Sequence, residues 1–165
     1  MPTDINVELV YGQETLQGRL VWSQSCKQTI KSNSSFVFDS IPKKLLDIPE
    51  GDFLYIDAVV DEKKLQRVIY FTNGWKDIAW PTPNFKTELI NQEFEKGEWQ
   101  TKIKVKADIF ARMLHLLYSG EDSNLFFSDN YFDLSTGAER ELHISSSRKI
   151  GLENLLIGHW LTVWE

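Results

Sequence analysis

Residues Glu98–Ala107 read EWQTKIKVKA, and their spacing decides the fold class. Trp99, Thr101, Ile103 and Val105 fall on one side, and Lys102, Lys104 and Lys106 on the other. A repeat of two is the side-chain period of a β-strand with one face buried, whereas a helix would repeat near 3.6. The lysines are then a solvated face that also discourages pairing at a sheet edge, not a ligand patch.

Working outward, the same period recurs. In Asn6–Tyr11, NVELVY, Val7, Leu9 and Tyr11 share a face; in Leu16–Trp22, LQGRLVW, Leu16, Leu20 and Trp22 do so, with Gln17 and Arg19 opposite. FLYIDAVV (53–60) places Leu54, Ile56, Ala58 and Val60 on one side, and the polar DEKK (61–64) turns the chain into LQRVIYF, which predicts a hairpin. FARMLHLLY, ERELHIS and LLIGHWLTVW supply further strands. The helix-like piece SIPKKLLDIPEG (40–51) carries prolines at 42 and 49, which limit a helix to a turn or two, and Pro49-Glu50-Gly51 suits a tight turn.

At Trp80-Pro81-Thr82-Pro83-Asn84 two prolines one residue apart forbid ladder hydrogen bonds and favour an extended connector. The expectation is an all-β chain of two tandem immunoglobulin-like antiparallel β-sandwich domains, residues 1–81 and 82–165. Alternation makes Trp22 and Trp99 core residues, and Trp80 is expected to staple the two domains.

The 165 residues, 42% hydrophobic and 13% aromatic with 25% charged, suit a folded globular chain. A formal charge of −6 argues against nucleic acid or an anionic membrane as partner, because both require clustered cations. The single cysteine, Cys26, excludes an intrachain disulfide framework and a cysteine-based zinc site. No basic leader followed by an apolar run opens the chain, and no apolar run is long enough to span a bilayer as a helix. Asn33-Ser34-Ser35 spells a glycosylation acceptor, a short pattern that arises easily by chance.

The sequence carries no phosphate-binding glycine loop, no Gly-x-Ser-x-Gly elbow and no His-Glu-x-x-His helix. His115, His143 and His159 stand apart on predicted strands and read as structural residues. The pairs Glu93/Glu95 and Glu139/Glu141 read as solvated charge rather than as a glycosidase dyad. The expectation is therefore no catalytic residue, no metal and no cofactor. Between Leu125 and Ile144, LFFSDNYFDLSTGAERELHI, Asp129 and Asp133 are too few and too widely set for a calcium loop. Asp129, Asn130 and Asp133 read as turn-formers, Phe127 and Phe132 as buried anchors, and Gly137 as a positive-φ position.

That stretch resembles the C-terminal β-sandwich domain of glycoside hydrolase family 2 β-mannosidases, in which a Ser-Asp-Asn-Phe/Tyr-Phe-Asp-Leu run precedes a Pro-Gly-Glu turn. Ser128 through Leu134 and Gly137 match, whereas Ser135, Thr136 and Ala138 depart from the pattern. Upstream, VIYFTNGWKDIAWPTPNF resembles the segment leaving the preceding immunoglobulin-like domain, through Lys76, Asp77, Ile78, Pro81 and Pro83. Related exo-glucosaminidases of the family carry similar terminal domains.

The resemblance implies a parent enzyme that hydrolyses terminal β-mannosides with two glutamates in a (β/α)8 barrel. That barrel needs about 250 residues, and no glutamate here matches its motifs. It implies a non-catalytic accessory region whose partners are the catalytic barrel and other domains of the same parent chain. The alternative is a carbohydrate-binding module that stacks an exposed aromatic on a sugar, with Trp75, after the Asn73-Gly74 turn, as the candidate platform.

Overall fold

A computed structural model describes residues 4–35, 37–40, 48–60, 62–65, 67–121 and 124–162. The described residues form strands joined by turns and short 3-10 segments, and every strand pairing is antiparallel. The chain divides into two compact units, Met1–Ala79 and Trp80–Glu165.

The first unit holds one sheet among its described residues. Its strands are β1 (Ile5–Thr15), β2 (Leu20–Ile30), β3 (Asp52–Val60), β4 (Lys63–Lys64) and β5 (Val68–Tyr70). The order is β2-β1-β3-β4, with β5 also on β3. Val7, Leu9 and Tyr11 are buried on one face, as the alternation predicts. There the Tyr11 ring meets Trp22 edge-on at 6.4 Å and Phe38 at 5.2 Å. Gly12 is fixed by close approach, since a Cβ would stand 2.2 Å from the Trp22 carbonyl oxygen of the neighbouring strand.

The sheet differs from the sequence reading at three places. Leu16 is not in a strand with Leu20 and Trp22: it is buried in the β1–β2 turn, where Gly18 takes φ 81° and Gly18 N donates to Thr15 O, so β2 starts only at Leu20, which is exposed. In β3 the face opposite Leu54 and Ile56 is the more deeply buried one, with Phe53, Tyr55 and Asp57; Phe53 packs on Phe71 at 5.5 Å. Trp22 is half-buried at the rim, with its indole N–H donated to Gln13 Oε1 at 3.0 Å. Of the hairpin predicted through residues 61–64, residue 61 lies outside the described residues; β4 and β5 both pair antiparallel with β3. Of the helix-like piece, residues 41–47 lie outside the described residues; Pro49 to Asp52 makes a turn with Asp52 N donating to Pro49 O, and Gly51 at φ 86°.

The buried face of β3 also holds charge. Arg67 forms a bidentate pair with Asp57 (2.9 and 2.7 Å), reaches Glu14 at 2.8 Å, and lies 4.1 Å from the centre of the Tyr55 ring. Burial alone would raise the Asp57 carboxyl, but the hydrogen bonds and charge of Arg67, aided by Lys64, hold it below its ordinary value.

Among its described residues the second unit has two facing sheets. One is ordered β6-β7-β11-β9, from β6 (Phe85–Glu95), β7 (Glu98–Ala107), β11 (Glu139–Ser146) and β9 (Phe126–Phe127). The other is ordered β10-β8-β12, from β10 (Phe132–Leu134), β8 (Ala111–Tyr118) and β12 (Leu155–Gly158). Ile103, Val105, Leu142 and Ile144 of the first sheet meet Leu114, Leu116, Phe132 and Leu134 of the second in one apolar core. This is the sheet-on-sheet sandwich that alternating strands build.

Strand β7 buries Thr101, Ile103 and Val105 as its spacing predicts, but it is interior to its sheet, so its lysines guard no edge. Lys102 instead pairs with Glu141 at 2.5 Å and Lys104 with Glu139 at 3.1 Å, across to β11. Trp99 is half-buried rather than core, against Phe94 at 5.7 Å and beneath Lys149. The long strand β6 shows no clean alternation because its register shifts between Leu89 and Asn91. Strand β12 stops at Gly158, after which His159 to Thr162 forms a turn closed by Thr162 N donating to His159 O.

Candidate functional site

The segment Ser128–Gly137 joins β9 to β10 and leads into β11, and its short polar side chains replace missing backbone partners. Ser128 Oγ accepts from His143 N at 2.9 Å while Ser128 N donates to His143 O at 2.8 Å, extending the β9–β11 pairing. One residue on, Asp129 accepts from Asn130 N at 2.8 Å and forms an ion pair with Arg140. The Arg140 guanidinium also lies over the Phe132 ring at 4.3 Å. One arginine thus ties the start of the turn to the core anchor.

Asn130 acts as a one-residue strand. Its Oδ1 accepts from Leu116 N at 2.8 Å and its Nδ2 donates to Leu116 O at 3.1 Å, so its amide serves Leu116 as a backbone neighbour would. Leu116 is fully buried, and both groups need a partner. Asn130 Oδ1 also accepts from Tyr131 N at 3.2 Å, where the chain takes φ 61°.

Asp133 holds a β-bulge. Phe132 is opposite Leu114 and Leu134 opposite Ala111, so two residues, Arg112 and Met113, face Asp133 alone. Met113 takes φ 48°, a left-handed conformation uncommon outside glycine. Asp133 Oδ1 accepts from Met113 N at 2.9 Å and its other oxygen pairs with Arg112. Phe132 is 3% exposed within the core. Gly137 takes φ 68°, donates its N–H to Ala107 O at 3.0 Å, and sits in a turn closed by Ala138 N donating to Ser135 O.

This geometry suits structure more than chemistry. Asp129 and Asp133 are each engaged by an arginine and a backbone amide. Among the described residues no group of three or more His, Cys, Asp or Glu is placed to hold a metal ion. His115 and His159 are near one another in the second unit: burial, and then the charge of His115, push His159 below its ordinary pKa. His115 is fixed by Nδ1 against Met113 O at 3.1 Å and by stacking on Tyr131. Glu139 and Glu141 belong to the lysine ladder; hydrogen bonding from Lys102 lowers Glu141, and hydrogen bonding to Glu139 raises Lys104.

Trp75 opens a 3-10 turn, Trp75–Asp77, and is 46% exposed. The first unit also has an apolar cavity of about 310 Å³, lined by Tyr11, Phe38, Leu54, Ile56 and Tyr70 among others. There Tyr11 donates its hydroxyl to Asp39, which pushes the phenol up to about 12. Arg112, Arg140, Leu116 and Met113, the partners of the acidic segment, have no local signal in the sequence, because strand pairing alone brings them together.

Residues 81–156 match the family model Ig_mannosidase, described as an Ig-fold domain. No curated protein sequence matches the chain. Among solved structures, the crystal structure of Amycolatopsis orientalis exo-chitosanase CsxA aligns with a TM-score of 0.65 at 12% identity, over 88% of this chain. The aligned region is 21% of that enzyme, so the chain spans about a fifth of the length of the structure it resembles.

Proposed function

With an Ig_mannosidase domain at residues 81–156 as the premise, we propose that the chain is the non-catalytic C-terminal accessory region of a family 2 glycoside hydrolase of β-mannosidase type. The observation that carries this reading is the family match over the second sandwich, whose Asp129, Asn130 and Asp133 are spent on backbone and arginine partners. The fold likeness to about a fifth of a much longer enzyme supports it. The parent reaction is hydrolysis of terminal β-mannosides by a catalytic barrel, and this region packs against that barrel and stiffens it. Exposed apolar side chains in each unit, including Val68 and Tyr70 in the first and Phe94 and Phe126 in the second, supply surface for such packing.

A second reading, a carbohydrate-binding module that uses Trp75, is favoured by the exposure of that indole in a turn. Assay of the purified chain with aryl β-mannosides and aryl β-glucosaminides tests the first reading. No release above the buffer rate is expected. Turnover that copurifies with the chain and disappears on substitution of one of its carboxylates would overturn it.

A further inference from the structure

The outward face of the β10-β8-β12 sheet remains after the acidic segment has been explained. Leu114, Leu116, Phe132, Leu155 and Ile157 point into or pack on the core, so His115, Leu117, Tyr131 and Leu156 face out. Register places Tyr131, His115 and Gly158 in one row across the three strands, with Leu117 opposite Leu156 in the next. Tyr131 is 60% exposed and stacks on His115 with centroids 5.3 Å apart and planes 20° apart. Gly158 is buried and His115 half-buried, so the exposed part of the row is the Tyr131 ring, with His115 stacked on one of its faces. Trp160, 44% exposed, follows β12, and its backbone N–H donates to Arg112 O at 2.9 Å.

Two of the described non-glycine residues with positive φ lie at the same place. Tyr131 and Met113 both hold positive φ, a conformation that disfavours large side chains, and the amide of Asn130 and the carboxylate of Asp133 secure them. A tyrosine is thus held in a glycine-like conformation with its ring outside the core.

We propose that this face is a stacking platform for an uncharged, hydroxyl-bearing sugar ring, with the exposed Tyr131 ring at its β10 edge as the main contact. The apolar side of a sugar ring fits a flat aromatic surface, and the Tyr131 hydroxyl supplies a donor and acceptor at the rim. Charge selects a neutral ligand: β8, β10 and β12 together contain one arginine and one aspartate, Arg112 and Asp133, and these neutralise each other. Size disfavours a protein. Strand spacing and rise give two rows of two residues each an area on the order of 100 Å², against about 800 Å² per partner in a stable protein interface. The platform is separate from Trp75, and it stands or falls independently of the accessory role.

The test is a titration of the full 165-residue chain, ¹⁵N-labelled, with mannobiose, cellobiose and lactose. Sugar is raised to tens of millimolar, on the order of ten times a millimolar dissociation constant. Saturable shifts are expected at the amides of His115, Leu117, Tyr131 and Leu156. Tyr131→Asn, which keeps a residue tolerant of positive φ and removes the ring, should weaken binding by at least about fivefold with the remaining spectrum unchanged. Trp75→Ala should leave the affinity unchanged. Absence of saturable shifts at these amides, wild-type affinity in Tyr131→Asn, or loss of binding in Trp75→Ala would each overturn the proposal.

Discussion

Replacing Asn130 with alanine isolates the most unusual element of the second sandwich. The substitution removes both partners of Leu116 on the β10 side, an acceptor at 2.8 Å and a donor at 3.1 Å. Leu116 is 0% exposed, so its N–H and C=O lose partners in a dry environment, at about 1 to 3 kcal/mol for each group. The two sum to about 2 to 6 kcal/mol, and water entering the space left by the amide lowers the sum toward about 3 kcal/mol. Loss of the Tyr131 N–H contact adds strain at a positive-φ residue. For a unit of this size, about 3 kcal/mol lowers the melting temperature by roughly 12 to 24 °C.

Urea denaturation followed by near-ultraviolet circular dichroism of the full chain is the assay, with the two units fitted as separate transitions. Asn130→Asp sharpens it. The variant retains an acceptor for Leu116 N–H but places a second oxygen against Leu116 O, so it too should destabilise the unit. If Asn130→Ala stays within about 0.5 kcal/mol of the unsubstituted protein, the size of an ordinary surface change, the strand-mimic account fails.

Other expectations follow from the same geometry. Phe132→Ala should cost about 3 to 5 kcal/mol in the same assay, because the ring is fully within the core and also carries the Arg140 guanidinium. Gly137→Ala should cost about 1 to 2 kcal/mol through backbone conformation alone, since φ is 68° and nothing lies within 4 Å of the added carbon. Arg67→Ala should destabilise the first unit by about 3 kcal/mol, because it leaves Asp57 and Glu14 without their shared cation in a largely buried site. The folded-state pKa of Asp57 lies below its unfolded value, so its contribution is present above the ordinary aspartate pKa of about 3.9 and is lost as pH falls through the depressed value. Acid titration should therefore weaken the first unit below about pH 4, and the Arg67→Ala variant should lose that part of the dependence.

Strands with one wet and one dry face were legible in the sequence: Val7, Leu9 and Tyr11 in β1, and Thr101, Ile103 and Val105 in β7, are buried as their spacing requires. Spacing fails where the backbone departs from regular pairing. Leu16 keeps the parity of a strand residue but lies in a turn that Gly18 makes possible, and the shifted register of β6 conceals an eleven-residue strand. Spacing also does not say which strand is interior: edge protection, which it suggests for the lysines of β7, does not apply, and Lys102 and Lys104 pair instead with Glu141 and Glu139. In the acidic segment, residue types told of turns and caps. Their specific partners, Leu116, Met113, Arg112 and Arg140, depend on a bulge and on strand order, which single-residue propensities do not encode.

A role for these residues within a larger glycosidase requires a longer native chain. The mass of the native polypeptide, detected in its source cells with an antibody raised against the chain, decides this. A species larger than these 165 residues by at least a barrel, about 250 residues, is expected. A native species whose mass equals that of the 165 residues alone would contradict the account.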